Sequence, residues 1–377
     1  MLSRLRRPVR FIVGSMGLLG LLTVSAFSAV NGYPSNAWAA RAQTFLNGPG
    51  PFYQDVGIMG MGNAAVAVTN DANAVFYNPA GLAQIKSIKF AILNVQAIGS
   101  THLIQAADYA KTGNDTASIL QNESALNGDL INLGVSDFSY FSMPDFAIGV
   151  LGNVAASAIP DVPAGTIGNN TPLGSIAARG DLGGVIGLAH SFANDRVDVG
   201  GSLFLMNQYF YANDHVTQGN TQNLSPSSLS NGFGVMGDAG VIGHLFESGL
   251  LDWTVGASEQ SIGTADFGAG GTLPEMTNAG TGLVITPGFG TLTADLDYDD
   301  VFNQTGWGVQ NHVCIGLRYN FPEVWGVSAG IFDGQPTFGA TVDLWVLKIQ
   351  AAYWTEAGIA SIPANHVVGA QIALGWL

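Results

Sequence analysis

The chain has 377 residues, of which 10 % are charged, where a water-soluble globular protein carries about 25 %. Glycine occurs 51 times and the mean hydropathy is +0.28. So few charges cannot cover a water-exposed surface, so the surplus apolar side chains are expected to face lipid. The net charge of −15 argues against nucleic acid as a partner, and a single Cys314 excludes an intramolecular disulfide. No Cys/His cluster has metal-ligand spacing, so neither a metal nor another cofactor is expected.

The N-terminus has the three parts of a signal peptide. Arg4, Arg6, Arg7 and Arg10 form a positive region, Phe11 to Val30 is apolar, and Ala37-Trp38-Ala39 supplies small residues for cleavage. Residues 1–39 are therefore predicted to be an export signal, and their loss leaves the remainder still more acidic. No later run has eighteen apolar residues, so a crossing of the membrane must use a closed sheet, because lipid satisfies no open strand edge.

From about Ser87 onward, strand-like runs alternate with turn clusters. In Thr291–Asp299, Leu292, Ala294, Leu296 and Tyr298 share one face while Asp295 and Asp297 share the other. The same period of two recurs in Val313–Tyr319, Phe338–Leu344 and Leu347–Tyr353. Starts near Ser87, Ile131, Phe146, Gly180, Val197, Gly232, Leu251, Met276, Thr291, His312, Trp325, Gln335, Leu347 and His366 predict an all-β, antiparallel transmembrane barrel of about fourteen strands over residues 87–377. Aromatic residues near strand ends (Tyr298, Tyr319, Trp325, Tyr353, Trp354, Trp376) suit interfacial girdles. Connections alternate between short ones, as at Met143–Asp145 and Phe321–Glu323, and long ones, about Thr101 to Leu130, Ile159 to Gly180 and Ala212 to Asn231. That alternation also belongs to outer-membrane barrels. The polar faces place Asp295 or Asp297 with Arg318, and Asp343 with Lys348, toward the lumen as charge pairs, since a cation at the lipid midplane costs ~2–4 kcal/mol.

Between the signal and the first strand, residues 40–86 are Gly-rich and do not alternate. The stretch from Gly57 through Gly60-Met61-Gly62, Asp71 and Asn78-Pro79-Ala80-Gly81 to Ala83 resembles the N-terminal region of the FadL long-chain fatty-acid transporter family and the related PorV group of outer-membrane proteins. Asp333–Ala340 and Leu296–Tyr298 also look PorV-like. The resemblance implies a bacterial outer-membrane barrel with this segment folded inward as a plug, or hatch. It further implies a kink in the third strand, Phe146 to Ile159, where Gly149, Gly152 and Asn153 are the candidate residues for a lateral opening. The final strand ends on Trp376-Leu377 and resembles the C-terminal signal read by the outer-membrane assembly machinery.

Gly326-Val327-Ser328-Ala329-Gly330 fits the hydrolase string G-x-S-x-G but lies inside an alternating strand, not at a strand-to-helix elbow, so no enzymatic activity is expected. Gly60–Ala65 fits G-x-G-x-x-A without a preceding strand. Two functions stay open: passive transport of hydrophobic, fatty-acid-like molecules with outer-membrane lipid around the wall, and PorV-like binding of secreted or surface proteins. A general porin is disfavoured by the plug-like segment. Phe204, Met206 and Phe210 share a strand face with Ser202 and Gln208; toward the lumen they offer apolar contact, toward lipid they are ordinary wall.

Overall fold

Runs in which large apolar residues alternate with Gly, Ser, Asn and Asp suit a pleated strand with one face in lipid and the other on a polar interior. The computed structural model describes residues 53–105, 126, 128–160, 172–217, 230–263, 265–268, 272–273, 275–303, 308–322, 324–357 and 364–377. The export signal expected at residues 1–39 lies outside these residues.

The strands are β1 (Lys89–Ser100), β2 (Ile131–Met143), β3 (Phe146–Ile159), β4 (Pro172–Phe192), β5 (Val197–Thr217), β6 (Ser230–Glu247), β7 (Leu251–Gln260), β8 (Ala265–Asp266), β9 (Thr272–Leu273), β10 (Met276–Ile285), β11 (Thr291–Tyr298), β12 (Val313–Asn320), β13 (Trp325–Phe332), β14 (Gln335–Asp343), β15 (Leu347–Glu356) and β16 (Asn365–Trp376). Apart from the short β8–β9 ribbon, they form a closed antiparallel barrel of fourteen strands in which β1 pairs with β16. Among the described residues no helix is long and apolar enough to cross a membrane.

The pleat sorts side chains as the sequence pattern requires. Val150, Leu182, Leu205 and Val235 are about half exposed on the outer face, while Asn153, Asp181, Gln208 and Asp238 turn inward. On β16, Val368, Ile372, Leu374 and Trp376 are exposed and Val367, Gln371 and Ala373 are buried. Trp354 departs from the girdle expectation: it is 1 % exposed and packs inside with Val56, Met59 and Val367. Its neighbours on the lumenal face, Ala352 and Gln350, are likewise buried, so strand parity overrides the preference of Trp for the interface.

Two long connections are shorter than expected. β4 begins at Pro172 rather than Gly180, and β5 continues past Ala212 to Thr217. The Gly174–Ala178 stretch has no hydropathy alternation, yet its backbone continues the ladder with β3 up to Ile159↔Ser175. Hydrogen bonding thus extends a strand whose side chains do not announce it.

The third-strand kink is absent. β3 pairs with β2 from Met143↔Phe146 to Ile131↔Ala158 and with β4 from Phe146↔Leu188 to Ile159↔Ser175 without a register shift. Its small residues have other causes. A Cβ on Gly149 would meet the Phe138 ring at 2.5 Å, Gly152 faces outward with Leu182 Cδ1 3.9 Å from its Cβ position, and Asn153 Nδ2 donates to Asp181 Oδ2 at 3.1 Å.

The ladder shifts register near Gly174 between β4 and β5, at His244/Phe246 between β6 and β7, and on both sides of β1. The β1 register shifts against β16 between Ala91 and Leu93, and against β2 between Ala91↔Tyr140 and Val95↔Asp137. Ile92, Leu93 and Asn94 therefore face Phe138 and Ser139 without a regular ladder. Side chains substitute for it: Asn94 N donates to Asp137 Oδ1 at 2.8 Å, and Ser139 Oγ lies 2.8 Å from Asp137 Oδ2 and 3.2 Å from Ile92 O.

Candidate functional site

Residues 53–86 carry little regular structure, so their backbone groups need partners from elsewhere. They find them on the inward face of the wall. Asp55 caps the helical turn Val56–Met59 through Ile58 N at 3.1 Å, and Gln96 and Gln371 bond to Gln54 O and Asp55 Oδ2 at 2.6 and 3.0 Å. Arg318 Nη2 donates to Gly57 O at 2.6 Å. Thr337 Oγ1 accepts from Gly62 N at 3.0 Å. Asp297 Oδ2 accepts from both Ala65 N and Val66 N, at 2.7 and 2.9 Å. Further along, Thr254 Oγ1 donates to Ala67 O, Gln260 Nε2 to Phe76 O and Ser202 Oγ to Val75 O, at 2.8, 2.6 and 2.8 Å. The segment thus travels past the strands from β16 down to β5.

Glycines on the wall admit this close approach. A Cβ on Gly240 would collide with Asn78 Oδ1, one on Gly316 with Met61 O, and Gly60 lies against Gly339, whose Cα would be 2.8 Å from a new Cβ. Gly62 has φ +68, which favours glycine. Asn78 precedes the 3-10 helix Pro79–Gln84: its Oδ1 accepts from Ala80 N at 3.1 Å and its Nδ2 donates to Val66 O at 2.7 Å. Asp71 Oδ1 accepts from Asn73 N at 2.9 Å, and Gly81 abuts Thr69. The motif residues therefore act on the chain itself and on the wall.

The expected charge pairs resolve differently. Arg318 serves Gly57 O and Asp297 serves two backbone amides, so each contacts the segment rather than the other. Asp295 is buried beside Asp297 on the same face. Asp343 and Lys348 are register partners, but the Asp343 carboxylate accepts from Trp345 N at 3.1 Å. A buried pair that the sequence pattern did not single out is Arg179–Asp181, with nitrogen and oxygen 2.8 Å apart and both side chains nearly inaccessible. Gln208 Nε2 also bonds to Asp181, at 3.1 Å.

An aromatic cluster lies between the segment and β2–β5. The Phe76 ring is 4.7 Å from Phe138, edge to face, and 5.7 Å from Phe204, and the Tyr53 ring is 5.0 Å from Phe76. Leu151, Val185, Met206 and Met236 complete it. Phe204 and Met206 thus face the lumen, not lipid. Burial, with Asp55 nearby, pushes the Tyr53 hydroxyl well above its ordinary range, and burial does the same for Tyr77. Both stay neutral hydrogen-bonding groups. Tyr53 OH accepts from Gln371 Nε2 at 3.0 Å and Tyr77 OH lies 3.2 Å from Asn63 Oδ1.

Comparison with solved structures gives the fold a precedent. The TodX monoaromatic hydrocarbon channel, as a deltaS2 mutant, superimposes with a TM-score of 0.54 at 13 % identity, over 86 % of this chain and 98 % of that one. The Ralstonia pickettii toluene transporter TbuX gives 0.53 at 14 % identity, over 86 % and 98 %. The barrel fold is shared with these channels. No family model and no curated protein sequence matches the chain. The shared fold agrees with the closed barrel expected from the strand pattern.

Proposed function

We propose that this chain is an outer-membrane channel for hydrophobic small molecules, with residues 53–86 as a hatch in the barrel and with transport passive. The observation that carries the reading is the placement of Phe138: it belongs to the inward aromatic cluster and also stands at the break in the β1–β2 ladder. An apolar molecule held against Phe138, Phe204 and Met206 is thereby next to the one stretch of β1 whose wall is closed by side chains. A lateral exit needs such a stretch, because lipid tolerates no unpaired backbone outside a cavity. The exit belongs at Ile92–Asn94 rather than at Gly149, Gly152 and Asn153. The hydrocarbon channels with the same fold support the substrate class.

A PorV-like role in binding secreted or surface proteins is the second reading, favoured by the unbroken β3 ladder. Uptake of toluene and of a long-chain fatty acid into liposomes holding the purified barrel separates the two. Transport that rises about 3-fold or more in Asp137→Leu, which removes the acceptor of Asn94 N across the break and the partner that orients Ser139 Oγ, supports the channel and its exit. Absence of uptake in the unaltered protein leaves the protein-binding reading.

A further inference from the structure

Asn132 and Ser157 are direct register partners on β2 and β3, near the end of the barrel where the long loops attach. Both face inward, and they are 1 % and 2 % exposed. Among the described residues neither side chain has a hydrogen-bond partner: Asn132 Oδ1, Asn132 Nδ2 and Ser157 Oγ are all without one. The Asn132 backbone does not compete for them, since its N–H already donates to Ser100 Oγ at 3.1 Å. Around them the wall is apolar, with Leu130, Ala155, Ile159 and Ala177 buried together and Phe210 packed against them.

Buried polar atoms are nearly always satisfied, so three unpaired ones side by side in an apolar setting need a reason. A ligand site has this composition: an apolar lining that holds most of the molecule and a few polar atoms that orient it. The pair supplies one acceptor, one amide donor and one hydroxyl, all uncharged. The nearby guanidinium of Arg179, one inward row below, is paired with Asp181, so the charges there are matched. Such a set complements a group that both donates and accepts, such as a phenolic or alcoholic hydroxyl.

We infer that Asn132 and Ser157 form a recognition site for the neutral hydroxyl of an otherwise apolar small molecule, so that the barrel favours hydroxylated over plain hydrocarbons. The inference rests on the channel reading and narrows its substrate class. Toluene, p-cresol and p-toluate test it, because they share a ring and differ in one substituent. Equilibrium binding to the purified full barrel, corrected for partition into detergent, gives the affinity ratios. The unaltered protein is expected to bind p-cresol about 10-fold more tightly than toluene, since a site built to hydrogen-bond a hydroxyl rejects the analogue that lacks it. Asn132→Leu is expected to reduce that ratio to about one, and Ser157→Ala to lower it about 3-fold. Ser157→Ala leaves the strand's volume nearly intact and keeps the test valid should Asn132→Leu fail to fold. A ratio unaltered in the folded variants, no preference for p-cresol in the unaltered protein, or tighter binding of p-toluate than of p-cresol overturns the inference while leaving the channel intact. An unaltered protein that binds none of the three overturns both.

Discussion

One inward row of polar residues runs around much of the barrel, and its two arcs do different things. Register links Thr341, Gln350, Gln371, Gln96, Ser136, Asn153, Asp181 and Gln208 in sequence from β14 to β5. In the first arc, Gln371 and Gln96 bind Tyr53, Gln54 and Asp55. In the second, Asn153 and Gln208 bind Asp181, which also holds Arg179. Among the described residues, none of 53–86 bonds to that second arc. The same residue types thus anchor chain on one side and satisfy one another on the other. Polarity of a lumenal wall therefore does not by itself mark a ligand path; what matters is whether its groups are already committed.

The comparison can be broken most severely on the side that holds the segment. Asp297→Ala removes the acceptor of two backbone amides, and each unpaired donor costs about 1–3 kcal/mol. Limited proteolysis is expected to cut within residues 53–86 at least about 10-fold faster than in the unaltered protein, at constant barrel content by circular dichroism. Gly240→Leu drives a side chain into Asn78 Oδ1 and should expose the segment to the same protease to a lesser degree, since the remaining anchors persist. Equal protection in both variants would mean that the wall does not hold the segment.

A smaller effect sharpens the same contrast through pH. Tyr53 and Tyr77 have hydroxyls raised above the ordinary tyrosine range, chiefly by burial. For a group whose folded value is raised, the stabilisation is fully present below the unfolded value, about 10, and is lost as pH rises through the folded value. The segment should therefore loosen at strongly alkaline pH, and Tyr53→Phe should lose less protection between neutral and alkaline pH than the unaltered protein. Proteolytic rates across that range check it. The smallest effect expected is at Gly152→Leu: its Cβ site is open, with Leu182 at 3.9 Å, so uptake and stability should stay within about 0.5 kcal/mol of the unaltered values.

These expectations separate what the residues disclosed from what pairing decided. β11, β12, β14 and β15 were legible because side chains alternate without a gap, and Asp297 and Arg318 fell on the inward face for that reason. The partners of those charges were not legible, since Ala65, Val66 and Gly57 meet them through a path set by the irregular segment. The resemblance implies a break in β3, whose ladder is unbroken, whereas the ladder shifts at Ile92–Asn94 of β1, where composition is ordinary. A register shift is a property of three strands together; Gly375, whose Cβ would collide with Phe90 O, lies beside it. Asn132 and Ser157 read as unremarkable strand residues until their register made them neighbours.

Gln371 connects Asp55 to β16, and Gln96 connects Gln54 and Val56 to β1. Those two strands form the seam where the sheet meets itself. The earliest described residues of the chain therefore straddle a join that cannot exist until the last strand has been made. During biogenesis this favours an order of events: the stretch around Tyr53–Val56 comes to rest as the cylinder shuts, and its bonds then act as a clasp across the weld. A chain truncated before β16 would lose the seam and one side of that clasp together.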